Sequence, residues 1–397
     1  MTTAAATIRL PTADGTLLDH ELEPRSDVFD LAALTEGQPP TSRSVYAAAH
    51  VVADPMADPA QRGTADSIDW EATSTFRHHL WGLGFGVAEA MDTAQRGNGL
   101  NWPLAKTLIR RSGAEAQAVG GRIVCGALTD QLEDGQKYTL TDIAEAYLEQ
   151  VAWIRNSGAV PVVMASRHLA AAARGPEAFH EVYDQVLRQT DAPVMLHWLG
   201  EAFDPAMRGY WGSDDLSVAT ETFLAIIGEH AHRISGIKIS LLNEQREIDL
   251  RRRLPEGVLM HTGDDFNYVR LIAGDDQGHS HALLGAFDVI AVPARAAFIR
   301  LDAGDSDGFV KLLAPTLPLA RLIFTAPTSA YKTGVVFLAW LNGHQDHFRM
   351  IAGAEVLRSV PHLSQVFALA DQCGALADPE LAARRMRDFL AVAGVDA

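Results

Sequence analysis

A chain of 397 residues exceeds one average domain, yet a single barrel with accessory segments can occupy that length. Hydrophobic residues make up 48% and charged residues 21%, a globular balance, and no run of about twenty apolar residues is present to cross a bilayer. The formal net charge of −17 opposes the phosphate attraction that drives nucleic-acid binding, so a small-molecule partner is expected rather than a nucleic acid or a membrane.

Met1 to Leu10 has neither a basic nor an apolar leader region, and Cys125 and Cys373 do not suggest a disulfide framework. Both features lead to the expectation of a cytoplasmic protein. Residues 7–22, TIRLPTADGTLLDHEL, hold an Asp14-Gly15 turn signal between two strand-like runs and predict a β-hairpin. Residues 23–44 are rich in Pro, Ser, Thr and Gly and read as a loop.

From Ser44 onward, short apolar runs alternate with stretches of helical periodicity, the pattern of a parallel sheet with crossover helices. The runs are VYAAAHVV (45–52), GFGVAEAM (84–91), GRIVCGA (121–127), VPVVMAS (160–166), APVMLHW (192–198), SGIKIS (235–240), GVLMHTG (257–263) and FDVIAV (287–292). Among the intervening helices, residues 140–158 are expected to start under a Thr141 cap and stop at Gly158. The tail, including PELAARRMRDFLAVAG (379–394), is helix-like. The predicted fold is therefore α/β: a (β/α)₈ TIM barrel over 45–295, an N-terminal hairpin extension over 1–44, and a C-terminal helical region over 296–397 packed on the barrel.

Barrel enzymes work at the carboxyl ends of their strands. The residues closing the runs are His50, Asp92 with Thr93, Ser166 with Arg167 and His168, His197, Lys238, and Gly263 with Asp264 and Asp265. Lys238 interrupts a run expected to be buried on both faces, where an ammonium is costly unless it is paired or neutral. A neutral amine attacks carbonyls to form imines. The plainer alternative is a lysine paired inside the barrel, for instance with Asp264, or reaching to the rim.

His197 ends the run before the Lys238 run and so neighbours it in a barrel, where an imidazole can move protons. It reads equally as a hydrogen-bonded core histidine. Asp92, Thr93 and Gln95 bind hydroxyls, hold a metal or cap the next helix, Gly263 and Asp264 approach a ligand or form a turn, and Glu89 is an interior partner or an acid. Arg77-His78-His79 and His279-Ser280-His281 lack a third metal ligand, and GLGFG (82–86) precedes a strand rather than opening a helix, so neither zinc nor a nicotinamide cofactor is implied.

Several ordered segments resemble the dihydrodipicolinate synthase and N-acetylneuraminate lyase superfamily of imine-forming barrels. SGIKIS resembles its Schiff-base lysine strand, HTGDD (261–265) its Ser-Gly-Asp-Asp segment, and GAFDVIAVPA (285–294) its Gly-Ala-x-Gly-Val-Ile-Ser-Val strand. LARLIFTAPTSAYKTGVVFLAWLNG (319–343) resembles its Asn-Pro-x-x-x-Lys helix, and GVAEAMDTAQ (86–95) and APVMLHWLGEAF (192–203) fall on its threonine loop and tyrosine strand. In that register His197 replaces the family tyrosine, Ala202 replaces its carboxylate-binding arginine, and Asp92 replaces the first loop threonine, while Thr93 is kept.

The resemblance implies an aldolase, lyase or dehydratase acting on a keto-sugar or keto-acid. Lys238 would be the nucleophile, His197 a proton shuttle, and Asp92, Thr93, Ser166, Arg167, His168, His50, Gly263 and Asp264 would bind substrate. Arg167 is the cation available to meet a carboxylate, and a neutral keto-sugar suits an acidic pocket better. No metal or organic cofactor is required, and a homodimer or homotetramer is implied. Two other readings stand beside it: a metal-dependent sugar isomerase using His50, Glu89, Asp92 and His197, and a barrel that senses a ligand without turnover.

Overall fold

The computed structural model describes residues 7–24, 26–35, 38–58 and 63–395. The hairpin forms as expected, with β1 (Thr7–Pro11) antiparallel to β2 (Leu17–Glu21) and Gly15 at φ +84° in the turn. The segment predicted as a loop over 23–44 holds a one-turn helix, Leu31–Thr35, anchored by Leu34. Residues 25, 36 and 37 of that prediction, and residues 1–6 of the leader reading, lie outside the described residues.

Eight strands follow: β3 (Val45–Ala48), β4 (Gly86–Glu89), β5 (Ile123–Ala127), β6 (Val160–Val163), β7 (Val194–Leu199), β8 (Ile234–Ser240), β9 (Leu259–Thr262) and β10 (His281–Leu284). They pair in sequence order, all parallel, and β10 returns to β3 to close the barrel. Seven of the predicted runs contain strands, but the eighth strand is HALL, not FDVIAV. Residues 287–292 instead finish a 3₁₀ turn and open the helix Ala291–Asp302. A short, wholly buried apolar run reads alike as strand or helix. Pro293 decides for the helix, because its missing N–H is harmless only in a first turn.

The helix Leu140–Asn156 has its cap two residues earlier than expected. Thr139, not Thr141, caps it, because Asp142 three residues on closes a reciprocal capping box, and Gly158 follows at φ +80°. Helix Pro176–Arg188 buries Ala178, Phe179, Val182, Tyr183, Val186 and Leu187, the three-and-four spacing of one helical face. No single helix among the described residues is long and apolar enough to cross a membrane; one pair, Ser306–Ile323 with Thr328–Leu341, passes that test only jointly and is bent by 112°.

The chain forms two compact units that cut across the linear division into 1–44, 45–295 and 296–397. One holds residues 43–49 and 86–285, and hence the whole barrel; the other holds 1–42, 50–85 and 286–397. Inside the barrel, Ala48, Ala88, Met91, Val124, Val162, Met164, Met195 and Leu283 form an apolar core. Gly126 leaves room for it: a Cβ there would come within 2.7 Å of Met164 Sδ.

Candidate active site

Strand alternation turns the interior of β7 and β8 from apolar to polar. Met195 belongs to the interior core and pairs with Gly236, so His197 and Lys238, paired two residues on, also face inward. Ile237 and Ile239, fully buried, take the opposite face. Lys238 also pairs with His261 of β9, which places an imidazole on each flanking strand. Gly263 makes room for the lysine stem, since a Cβ there would lie 2.7 Å from Lys238 Cε and 2.3 Å from Ser240 Oγ.

These groups are buried: Lys238 is 9% exposed and His197 1%. Burial lowers the Lys238 amine from its ordinary 10.5 to about 8, while the charges of Asp265 and Asp92 work to raise it. His197 is held well below 6.5, first by burial and then by the Lys238 charge, and is therefore a neutral imidazole near pH 7. Its Nε2 lies 3.0 Å from Ser240 Oγ, and its Nδ1 has no partner among the described residues. His261 is likewise neutral, lowered to about 3 chiefly by burial. The chemical content is an amine that sheds its proton easily, with a neutral His–Ser pair beside it.

The other sequence candidates divide. Asp92 opens the 3₁₀ turn Asp92–Ala94 after β4, followed by the buried Thr93, and its charge reaches both Lys238 and Arg167. Ser166 caps the helix Arg167–Ala172 and lies 2.6 Å from Thr129 Oγ1, which is 2.9 Å from His168 Nδ1. Arg167 donates from Nε to Asp204 Oδ2 at 2.6 Å, and its side chain is 58% exposed. Gly263 packs as described above. Asp264 turns its carboxylate to the backbone N–H groups of Phe266 and Asn267 and to Asn267 Nδ2, so it shapes the turn, and the charge that acts on Lys238 is its neighbour Asp265.

His50 belongs to the other unit. There its backbone N–H donates to Asp288 Oδ2 at 2.8 Å, its Nδ1 lies 2.8 Å from the same oxygen, and its carbonyl accepts from Arg77. Glu89 accepts from Ser112 Oγ at 2.7 Å and from the Ala90 N–H, the interior-partner reading. Among the described residues no three His, Cys, Asp or Glu side chains are grouped to hold a metal ion, so the set His50, Glu89, Asp92 and His197 is not assembled as one.

Sequence reasoning passed over Ser240, His261, Thr129 and the role of Asp265. Ser240 was findable, two residues beyond Lys238 on the same strand face. His261 required the strand register, and Thr129 required knowing which loop meets Ser166.

A family model described as "Protein of unknown function (DUF993)" matches residues 8–395. A comparison of the sequence with curated proteins returns no match. Among solved structures, the chain is similar to dihydrodipicolinate synthase from Thermotoga maritima, with 14% identity and a TM-score of 0.64, covering 84% of this chain and 99% of that one. It is similar to YagE from E. coli K12, a prophage protein of the dihydrodipicolinic acid synthase family in complex with pyruvate, with 14% identity and a TM-score of 0.65, covering 83% and 98%. Dihydrodipicolinate synthase from Aquifex aeolicus gives 14% identity and a TM-score of 0.59 over 89% and 98%. At this identity the likeness is one of fold.

Proposed function

We propose that this chain, which belongs to the DUF993 family, is a lyase that forms an imine between Lys238 and a small carbonyl substrate. The observation that carries the reading is the Lys238 amine, buried in the barrel interior and brought to about 8, beside the neutral His197 imidazole of the adjoining strand. The fold shared with dihydrodipicolinate synthases, and with YagE in its pyruvate complex, supports it.

At pH 7 roughly a tenth of such an amine is neutral, far more than for an ordinary lysine. The neutral amine adds to the carbonyl carbon, the carbinolamine takes up a proton and loses water, and the resulting iminium accepts the electron pair released when a neighbouring carbon–carbon or carbon–oxygen bond breaks. Proton movements at the amine and carbinolamine need a nearby donor and acceptor. The His197–Ser240 pair supplies both as neutral groups, one proton passing along the 3.0 Å contact.

The test is borohydride trapping. Incubation with a panel of aldehydes, ketoses and 2-oxo acids followed by reduction should leave a covalent adduct that peptide mass mapping places on Lys238, and Lys238→Ala should show none. An adduct confined to other lysines, or no adduct across the panel, contradicts the proposal.

A further inference from the structure

We propose that this site selects an uncharged, hydroxyl-bearing aldehyde or ketone and rejects 2-oxo acids, with Asp92 and the Arg167–Asp204 pair setting the preference. The inference rests on the imine reading of Lys238 and decides between the two substrate classes that the reading leaves open.

A 2-oxo acid carries its carboxylate one bond from the carbon that the amine attacks, so that carboxylate must lie in the field of the charges that act on Lys238. The charged groups that act on Lys238 are Asp265 and Asp92, both anionic. Arg167 is the other cation whose field reaches Asp92, but it is already committed: its guanidinium bonds Asp204 at 2.6 Å, and Asp134 and Asp92 add their charges to it. Four carboxylates thus face two cations, and the positive charge at Lys238, absent while the neutral amine attacks, returns only with the iminium. A substrate carboxylate would have to displace Asp204 from Arg167 while lying within the field of Asp92.

The hydroxyl groups point to polyols instead. Thr129 Oγ1 sits between Ser166 Oγ at 2.6 Å and His168 Nδ1 at 2.9 Å, two hydroxyls that both donate and accept, ended by an imidazole. His197 with Ser240 forms a second such pair beside the amine. Polyol hydroxyls exchange hydrogen bonds with groups of this kind and with carboxylates such as Asp92, which accepts from an O–H as readily as it repels an anion. A short ketose or polyhydroxylated aldehyde satisfies both features.

The experiment compares borohydride-trapped adduct at Lys238 for dihydroxyacetone, erythrulose and fructose against pyruvate and 2-oxobutyrate. Each yield is divided by that of Nα-acetyl-lysine under the same conditions, which removes the intrinsic reactivity of the carbonyl. The expected result is a preference of about tenfold or more for the neutral compounds, with Asp92→Asn and Asp204→Ala each raising the 2-oxo acid yield severalfold by removing an anion or releasing Arg167. Equal or higher normalised yields for the 2-oxo acids in the unaltered protein overturn the inference while leaving the imine reading in place. No adduct at Lys238 with any compound overturns both.

Discussion

Two buried cations of one barrel are handled in opposite ways. Arg96, just after β4, spends its five N–H groups on five acceptors: both Asp130 carboxylate oxygens at 2.6 and 2.7 Å, Gln150 Oε1, and the carbonyls of Ala90 and Gly126. Trp102 adds a ring face 5.1 Å from the guanidinium. Burial works to raise the Asp130 carboxyl, and the Arg96 bonds and charge outweigh it and hold it below its ordinary value. Lys238 sits instead beside the neutral His197 and the Ser240 hydroxyl, and there burial outweighs the two carboxylates. A satisfied charge becomes a fixed part of the frame, here bracing the turn that carries Asp92 and Thr93; an under-satisfied one becomes a reagent.

Substitution separates the two most sharply. Arg96→Met strands Asp130 and the two carbonyls, and should cost about 3 kcal/mol in urea unfolding at unchanged m-value. A loss under about 1 kcal/mol would mean that the network is screened and the contrast is false. Lys238→Met should do the reverse. At roughly 1.4 kcal/mol per unit, lowering the amine from 10.5 to about 8 costs about 3 kcal/mol. The methionine variant should therefore be more stable than the parent by about 1–3 kcal/mol at pH 7, with no adduct formed.

The pH dependence has a definite sign. Below pH 8 both the folded and the unfolded chain hold the Lys238 proton and the full penalty stands. Between about 8 and 10.5 the unfolded chain binds more protons, so stability rises with pH. The advantage of Lys238→Met should shrink across that window, and an advantage independent of pH would contradict the lowered amine. The smallest expected effect is at the His197–Ser240 contact: Ser240→Ala should cost about 1 kcal/mol of stability and slow trapping without shifting its pH midpoint. A moved midpoint would assign Ser240 a part in setting the amine rather than in passing protons.

What the sequence disclosed follows from which interactions are local. Alternating runs and helical stretches announce a parallel barrel because strand and helix periods are written residue by residue, and Lys238 stands out as a charge inside an apolar run. The last strand is hard to place from the sequence because HALL is only four residues and begins with a histidine, whereas FDVIAV looks more strand-like than it is. The site's electrostatics were less legible. The turn at Asp264 was legible, since its bond to Asn267 is local; that Arg167 is claimed by Asp204 and that His50 belongs with Asp288 depend on pairings across 37 and 238 residues, which no local pattern encodes.

The most direct test of the central claim is the titration of Lys238 itself. The sequence has five lysines, Lys106, Lys137, Lys238, Lys311 and Lys332, few enough for lysine-labelled NMR with assignment by substitution. One ε-methylene resonance should titrate with a midpoint near 8 and be lost in Lys238→Met. A Lys238 midpoint at or above 10.5 would show a paired ammonium, and the barrel interior would then hold a second Arg96 rather than a nucleophile.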